Sequence, residues 1–485
     1  MPPIDNVSRR EFINTTAGAA AATAAGILAH ADARANSAAA SLGVAVIGAG
    51  ARGRAHLDVL LRLRAEKLPI EPVAVCDVFS RHREEKAAMV EKGYKTRGGR
   101  RIHGTRKQPF VTADYREVLD RGDVDVVVIA TPDHWHGQIA VDALRAGKHV
   151  YCERPMTHTI EAAAAVVSAW RETGRVVQVG VQRTSDPRWR AAAELIRAGG
   201  IGKVVQAQTE YYRNSATPQW RTGLSRDMTP ANIDWPMFLG TASGLAPSMP
   251  FDRARYAQWR CYWPFGTGPF GELFVERLTQ MLVATGVRYP RRVTAAGGIF
   301  WEQDGRDVPD TATLVADYDE GLQILVTATM CSDHRIEQCI RGRYGTIVFD
   351  LSKDGFDVLP ERPQVTRSSA KRRHVSATRP KDETYDHWLN FLDAILRDDP
   401  THCHNPPDLA AAATITTLLG VASYRQGKVF EWHGATASEG GANTTDAWER
   451  RSLEPASPHD SDRPMSPSYQ KLAGPWSDPN TDPAG

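Results

Sequence analysis

Short apolar runs alternate with amphipathic stretches over the first third of the chain. Leu42 to Ile47 reads as a buried strand and is followed by an apolar-periodic segment through Leu63. Pro72 to Cys76, Asp125 to Ala130, His149 to Cys152 and Val176 to Val181 repeat the buried-strand pattern. Ile139 to Ala146 and Glu161 to Trp170 have helical spacing, stopped by Gly147 and Gly174. Apolar strands separated by helical patterns predict a parallel sheet covered on both faces. After about residue 183 the period becomes two. Val204 to Tyr212, Arg292 to Phe300, Ala312 to Tyr318, Leu322 to Met330 and Gly345 to Leu351 alternate like strands of a sheet with one covered face. Only two long helical patterns are read in that part, Tyr385 to Leu396 and Leu409 to Tyr424.

Composition adds exclusions. The 485 residues are 42% hydrophobic and 24% charged, an ordinary globular balance that excludes a disordered or polytopic membrane chain. Lys plus Arg is 59 and Asp plus Glu is 57, so the net charge of +2 gives no global pull on nucleic acid or anionic membranes. The basic run 91–108 reads as a solvated loop. Six Cys without a C-x-x-C pair make neither a disulfide framework nor a Cys-rich zinc site. Cys331 and Cys339 flank a turn and either pair or stay as buried thiols. His402-Cys403-His404 looks like a metal cluster, but Asp398-Asp399-Pro400 and Pro406-Pro407 around it indicate a polar loop, and no metal is expected.

Both ends stand apart. Ser8-Arg9-Arg10-Glu11-Phe12-Ile13 precedes an Ala-rich, weakly apolar run and small residues suited to cleavage near Ala33 or Ala35. Residues 1–35 therefore read as a signal peptide of the twin-arginine (Tat) type, with a helical extension as the alternative. The run is too short and too rich in Ala and Gly to span a bilayer. Export of the folded protein to the periplasm or cell exterior is the expectation. Residues 434–485, rich in Pro, Ser, Asp and Gly, read as an irregular tail.

Chemistry first appears at Gly48-x-Gly50-x-x-Gly53, directly after a strand and opening a helix. In that setting the first Gly permits a tight turn, the second lets backbone approach a pyrophosphate, and the third lets helix and strand pack closely. Asp77 ends the next strand, where a carboxylate can accept from a ribose 2′-OH. Its charge favours NAD over NADP, although Arg81 nearby could blur the preference. The expected fold is α/β, with a Rossmann dinucleotide-binding domain over 43–182. An α+β substrate domain with a large, mostly antiparallel open-faced sheet follows over 183–433.

Residues 126–156, VVVIATPDHWHGQIAVDALRAGKHVYCERPM, resemble the Gfo/Idh/MocA oxidoreductases, and the resemblance extends over roughly 43–433. The T-P-D-H-W-H and G-K-H-V-Y-C-E-x-P-M runs, with WRCYWPFGTGP at 259–269, look like an exported branch of that family. The resemblance implies tightly held NAD(P), hydride transfer on a sugar, glycoside or cyclitol, and a homo-oligomer formed through the sheet face. It places Arg52, Thr131, Pro132, His134, Glu153 and Arg154 with Gly48, Gly50, Gly53 and Asp77 around the cofactor. Gln182, Arg183, Arg260 and Glu272 fall around the substrate.

The departures concern the reacting groups. The family's E-K-P is Glu153-Arg154-Pro155 here, and an Arg cannot accept a proton. In the family's D-x-G-x-H-x-x-D segment this chain has Glu272, Phe274, Glu276 and Thr279, so the usual His is gone. Arg154 is then expected to orient a hydroxyl while Glu276 or His136 takes its proton. Glu276 would need a pKa raised by burial. The competing expectation is a nucleotide-binding relic that acts as a sugar-binding or scaffold protein.

Overall fold

A computed structural model describes residues 41–350, 352–362, 371–432 and 442–443. The expected signal peptide, and all of the expected tail except Ala442–Asn443, lie outside the described residues. The N-terminal part runs β1 (Leu42–Ile47), α1 (Ala51–Ala65), β2 (Ile70–Cys76) and α2 (Ser80–Lys92). A two-stranded ribbon follows, β3 (Tyr94–Lys95) with β4 (Arg101–Ile102), and then β5 (Phe110–Thr112) and α3 (Tyr115–Leu119). It ends with β6 (Val126–Ile129), α4 (Asp133–Arg145), β7 (His149–Glu153), α5 (Ile160–Thr173) and β8 (Val177–Gly180). The order β5-β2-β1-β6-β7-β8 is parallel throughout, which is the doubly wound Rossmann arrangement. Its strand order reverses between β1 and β6, where a crevice opens at the strand ends.

The second part contains α6 (Pro187–Arg197), β9 (Val204–Tyr212), α7 (Trp235–Leu239), α8 (Arg253–Ala257), α9 (Val275–Thr285) and β10 (Arg292–Gly298). It continues through β11 (Thr311–Tyr318), β12 (Leu322–Thr329), β13 (Gln338–Gly342), β14 (Gly345–Phe349), β15 (Phe356–Pro360) and β16 (Arg373–Val375). The chain then forms α10 (Glu383–Arg397), α11 (Pro407–Gln426), β17 (Phe430–Trp432) and β18 (Ala442–Asn443). Among the described residues, ten strands make one sheet, ordered β16-β15-β14-β13-β9-β12-β11-β10-β17-β18, in which only β9 and β12 pair in parallel. Along β11, Ala312, Leu314, Ala316 and Tyr318 are buried while Thr311, Thr313, Val315 and Asp317 are half-exposed. The covered face receives α9 and α11. A Cβ on Gly420 of α11 would lie 2.4 Å from Leu314.

Two helices differ from the expected pattern. Asp186 caps α6 through the Arg188 N–H and Pro187 opens it, a start signal that is legible in the sequence but not used above. The π-helical turn Phe270–Phe274 runs straight into α9, a helix not read in the sequence, which buries polar residues such as Arg277, Thr279 and Gln280 along with its apolar ones. A third difference concerns where α10 goes. It lies within the expected substrate domain but packs on the Rossmann sheet. Trp388, Leu389, Phe391 and Leu392 share a core with Val44 and Val46 of β1, Val126 and Val128 of β6, and Tyr151 of β7.

Candidate active site

The glycine turn meets its steric requirements. Gly48 has φ +87°, and a Cβ there would lie 2.5 Å from the Ala130 carbonyl carbon. A Cβ on Gly53 would lie 2.1 Å from the Gly48 carbonyl oxygen. At Gly50 the nearest atom would be on His82, 3.8 Å away, so that glycine faces open space. Gly50 caps α1 without a side-chain hydrogen bond, and the first turn carries no acidic residue. This leaves backbone N–H groups and the positive end of the helix turned towards the crevice. Asp77 stands beside them, accepting from the Ala49 N–H at 2.7 Å and the Phe79 N–H at 2.8 Å. A carboxylate with two such bonds retains lone pairs for a ribose hydroxyl. Arg81, the possible competitor, is engaged with Glu85 and Asp227 at 2.7 and 3.0 Å.

The crevice is a cavity of about 300 Å³ bounded by Gly48, Gly50, Asp77, Thr131 and Pro132. Its opposite wall comes from the long segment after β9, through Thr222, Met228, Phe238 and Trp259. That segment is clasped to the Rossmann domain by the Phe79–Ile233 bridge and by Ser80 N–H donating to Asn232 O at 3.0 Å. A smaller cavity of about 130 Å³ adjoins it through Ala130, Thr131 and Arg260. Arg52, Asp133, Glu153, Arg154, Gln182 and Glu272 surround this second space. The residues present fit a dinucleotide laid over the glycine turn.

Each charge around the small cavity is set by its neighbours. Burial by itself would raise the pKa of Glu153, but the Arg52 guanidinium at 2.8 Å and His56 hold its carboxyl well below the usual range. His56 Nε2 lies 2.8 Å from Glu153, and Trp388 donates its indole N–H to His56 Nδ1 at 3.0 Å. The neutral ring therefore carries its proton on Nε2, and burial keeps its pKa low. Gln182 donates to both Glu153 and the Tyr151 hydroxyl at 3.0 Å. Arg154 lies 3.0 Å from Glu276 and 3.8 Å from the Glu272 carboxylate, and it donates to the Glu272 carbonyl. Burial opposes its charge, yet the two carboxylates raise its pKa above the ordinary value.

Three expectations need correction. Burial pushes Glu276 upward, but Arg154, Arg277 and Arg183 outweigh it and the pKa is lowered. Glu276 is thus a fixed counter-ion and not a proton acceptor of raised pKa. His136 has its Nδ1 2.7 Å from Pro155 O and its Nε2 2.9 Å from Thr131 O, and burial lowers its pKa. The neutral ring carries a single N–H and can donate to only one of these carbonyls, so His136 lines the small cavity with both nitrogens turned to backbone oxygens. His134, expected at the cofactor, has its Nε2 2.8 Å from Phe238 O inside a cluster with Phe238 and Phe265. Burial lowers its pKa to about 3. Trp135 lines the larger cavity and donates to the same Phe238 carbonyl at 2.9 Å.

Asp133 joins the site only through the fold. It is 1% exposed at the start of α4, and burial, then the charge of Glu272, raises its pKa well above the carboxylate range. Asp133 and Glu272 line the same small cavity, and the charge of Glu272 opposes ionisation of Asp133. Arg260 Nε lies 2.8 Å from the other side of Glu272, with its guanidinium 4.0 Å from the centre of the Trp259 ring. The T-P-D-H-W-H run contains Asp133, but the partner lies 139 positions away and no local pattern joins them. Arg183 turns away from the small cavity towards Glu276 and Glu383. The six cysteines are free, Cys331 and Cys339 included. His402 meets Asp393 at 2.9 Å and His404 meets Ser185 at 2.8 Å. Among the described residues, no group of three or more His, Cys, Asp or Glu could hold a metal.

Fold and crevice together define a Rossmann dinucleotide-binding domain joined to an open-sheet domain. Residues 42–181 match the GFO_IDH_MocA family model, the oxidoreductase family with an NAD-binding Rossmann fold. Levoglucosan dehydrogenase of Pseudarthrobacter phenanthrenivorans is 30% identical over 186 residues, 37% of this chain and 45% of that protein. Inositol 2-dehydrogenase of Salmonella typhimurium is 29% identical over 186 residues, 38% of this chain and 49% of that protein. The matched part spans about half the length of these relatives. A structure of levoglucosan dehydrogenase in complex with NADH and levoglucosan superposes with TM-score 0.56 at 20% identity, covering 79% of this chain and 97% of that one. That likeness extends the shared fold through the sheet domain.

Proposed function

We propose that the protein is an exported, NAD-dependent oxidoreductase acting on a hydroxyl or carbonyl of a sugar, glycoside or cyclitol. The observation that carries this reading is the uncapped glycine turn with Asp77 beside it, joined through Thr131 and Arg260 to a pocket lined by Glu272 and the deeply buried Asp133. The named activities of the similar dehydrogenases support the substrate class. Gly48, Gly50 and Gly53 would hold the diphosphate, Asp77 the ribose, and Thr131, Pro132 and Arg154 would border the reactive end. When bound, NAD would take up the hydride that leaves the carbinol carbon.

The chain's own residues handle the proton. As the C–H bond breaks and the carbonyl forms, the hydroxyl proton passes to the Glu272–Asp133 pair. Arg154 and Arg260 lie 3.8 and 2.8 Å from the Glu272 carboxylate and hold it in place for that transfer. Arg154, fixed by Glu276, orients the reacting oxygen. Because export through the Arg9-Arg10 signal would separate the protein from free nucleotide, the cofactor stays bound. Oxidation of one substrate is then balanced by reduction of another in the same site. The open sheet face, with Thr311 paired to Thr329 at 3.0 Å and Thr313 to Thr327 at 2.9 Å, would seat a second copy.

The test is nucleotide analysis of the boiled protein, followed by single-turnover nicotinamide absorbance with a panel of sugars. Expected are bound NAD(H), an absorbance change, and its loss in Glu272→Gln. Asp77→Ala should narrow the preference for NAD over NADP by removing the charge that a 2′-phosphate would meet. Bound nucleotide with no absorbance change for any sugar would favour the second reading, a sugar-binding relic, to which Arg154 and the ion-paired Glu276 also point.

A further inference from the structure

A third cavity, about 710 Å³, lies on the far side of Glu276 and shares no lining residue with the cofactor crevice. Its wall includes Arg183, Arg213, Arg277, Arg335, Arg379 and Lys381, opposed by the carboxylates Asp354 and Glu383. Several of these cations are matched. Arg183 lies 3.2 Å from Glu383 and 3.6 Å from Glu276, Arg379 lies 3.4 Å from Asp354, and Arg335 lies 4.0 Å from Glu210. Arg277 and Arg213 carry buried donors without partners. Arg277 is 4% exposed, and its Nε and Nη1 are buried without a hydrogen-bond partner. Nε of Arg213 is buried in the same state. The guanidinium groups of Arg277 and Arg213 lie 4.8 and 5.3 Å from the centre of the Tyr211 ring. A buried cation with unused donors is costly, and an anion seated between such groups removes the cost. Burial lowers the pKa of Arg277 against the opposing charges of Glu276 and Glu210, and that of Arg213 against Glu272 and Glu276.

We infer that this cavity receives an oxyanion carried by the sugar itself, a carboxylate or a sulfate ester. The inference rests on the dehydrogenase reading above and narrows its substrate class to acidic sugars. Glu276 joins the two regions, touching Arg154 beside the reacting pocket and Arg183 beside the cationic one. One substrate would therefore place its hydroxyl near Arg154 and its anionic group on Arg277 and Arg213. A neutral sugar could fill hydrogen bonds there but would bring no charge to these donors.

The experiment is calorimetric titration of the full chain at low salt with D-glucuronate, D-glucose 6-sulfate, D-glucose and inorganic sulfate. One additional charge-assisted hydrogen bond corresponds to about tenfold or more in affinity. Glucuronate or the sulfate ester should therefore bind about tenfold tighter than glucose, and whichever binds better identifies the oxyanion. The advantage should shrink as salt is added. Arg213→Gln and Lys381→Gln should each weaken the anionic sugars and leave NADH affinity intact as a control of folding. Arg277→Met should abolish the preference, with circular dichroism to verify its fold. Equal affinity for glucose and both acidic sugars, or an Arg213→Gln protein that still prefers them fully, overturns the inference. Inorganic sulfate binding with no preference among the sugars also overturns it. A blank nucleotide titration alongside an intact acidic-sugar preference sinks the dehydrogenase reading alone.

Discussion

Gly53 sits where α1 crosses β1, with no room for a methyl group against the Gly48 carbonyl oxygen. Gly53→Ala must move helix or strand, at a cost of roughly 1–3 kcal/mol. Its melting temperature should fall and NADH titration should show weakened binding. Asp133 makes a separate prediction through pH. Its folded-state pKa is raised, so its contribution to stability is full below about pH 4, where an unfolded Asp titrates. That contribution fades as pH rises towards the folded value. Asp133→Asn keeps a donor for Glu272 and has no charge to bury. Its melting temperature relative to the wild type should therefore climb with pH above about 4 and then level off.

The elements that position the site are held by one helix arriving late in the chain. Trp388 of α10 stacks on Tyr151 at 4.9 Å between ring centres and donates to His56, which donates to Glu153. Residues on α10, α1 and β7 thus form one line ending at the pocket. Trp388→Ala empties a site with no exposed surface and frees His56 Nδ1. The expected loss is about 3–5 kcal/mol, measured by denaturant unfolding. Trp388→Phe should recover most of the packing but leave His56 without its donor. The π-helical turn before α9 is a second device at this scale. It carries Glu272 while the first turn of α9 carries Glu276, and both reach Arg154.

At the scale of the whole molecule, the Rossmann domain is not closed by its own segment. Leu389, Phe391 and Leu392 complete a core whose other half is β1, β6 and α1. A fragment of residues 41–182 should therefore lack fixed tertiary packing, seen as a missing near-ultraviolet dichroism signal, while the chain through residue 432 folds. The parallel sheet, the glycine turn and Asp77 were legible because each depends on neighbours in sequence: an apolar run, a turn that only glycine tolerates, and a carboxylate at a strand end. The alternating strands of the second sheet were legible for the same reason. The protonation roles were not, since burial and the charge of Glu272 raise the pKa of Asp133, whereas the guanidinium groups of Arg154, Arg277 and Arg183 outweigh burial at Glu276. His134 and His136 looked available beside one another, yet only packing against Phe238 and Pro155 decided that both rings are buried against backbone carbonyls. Local pattern reports what one stretch of chain can do alone, whereas field, burial and partnership are sums over residues hundreds of positions apart.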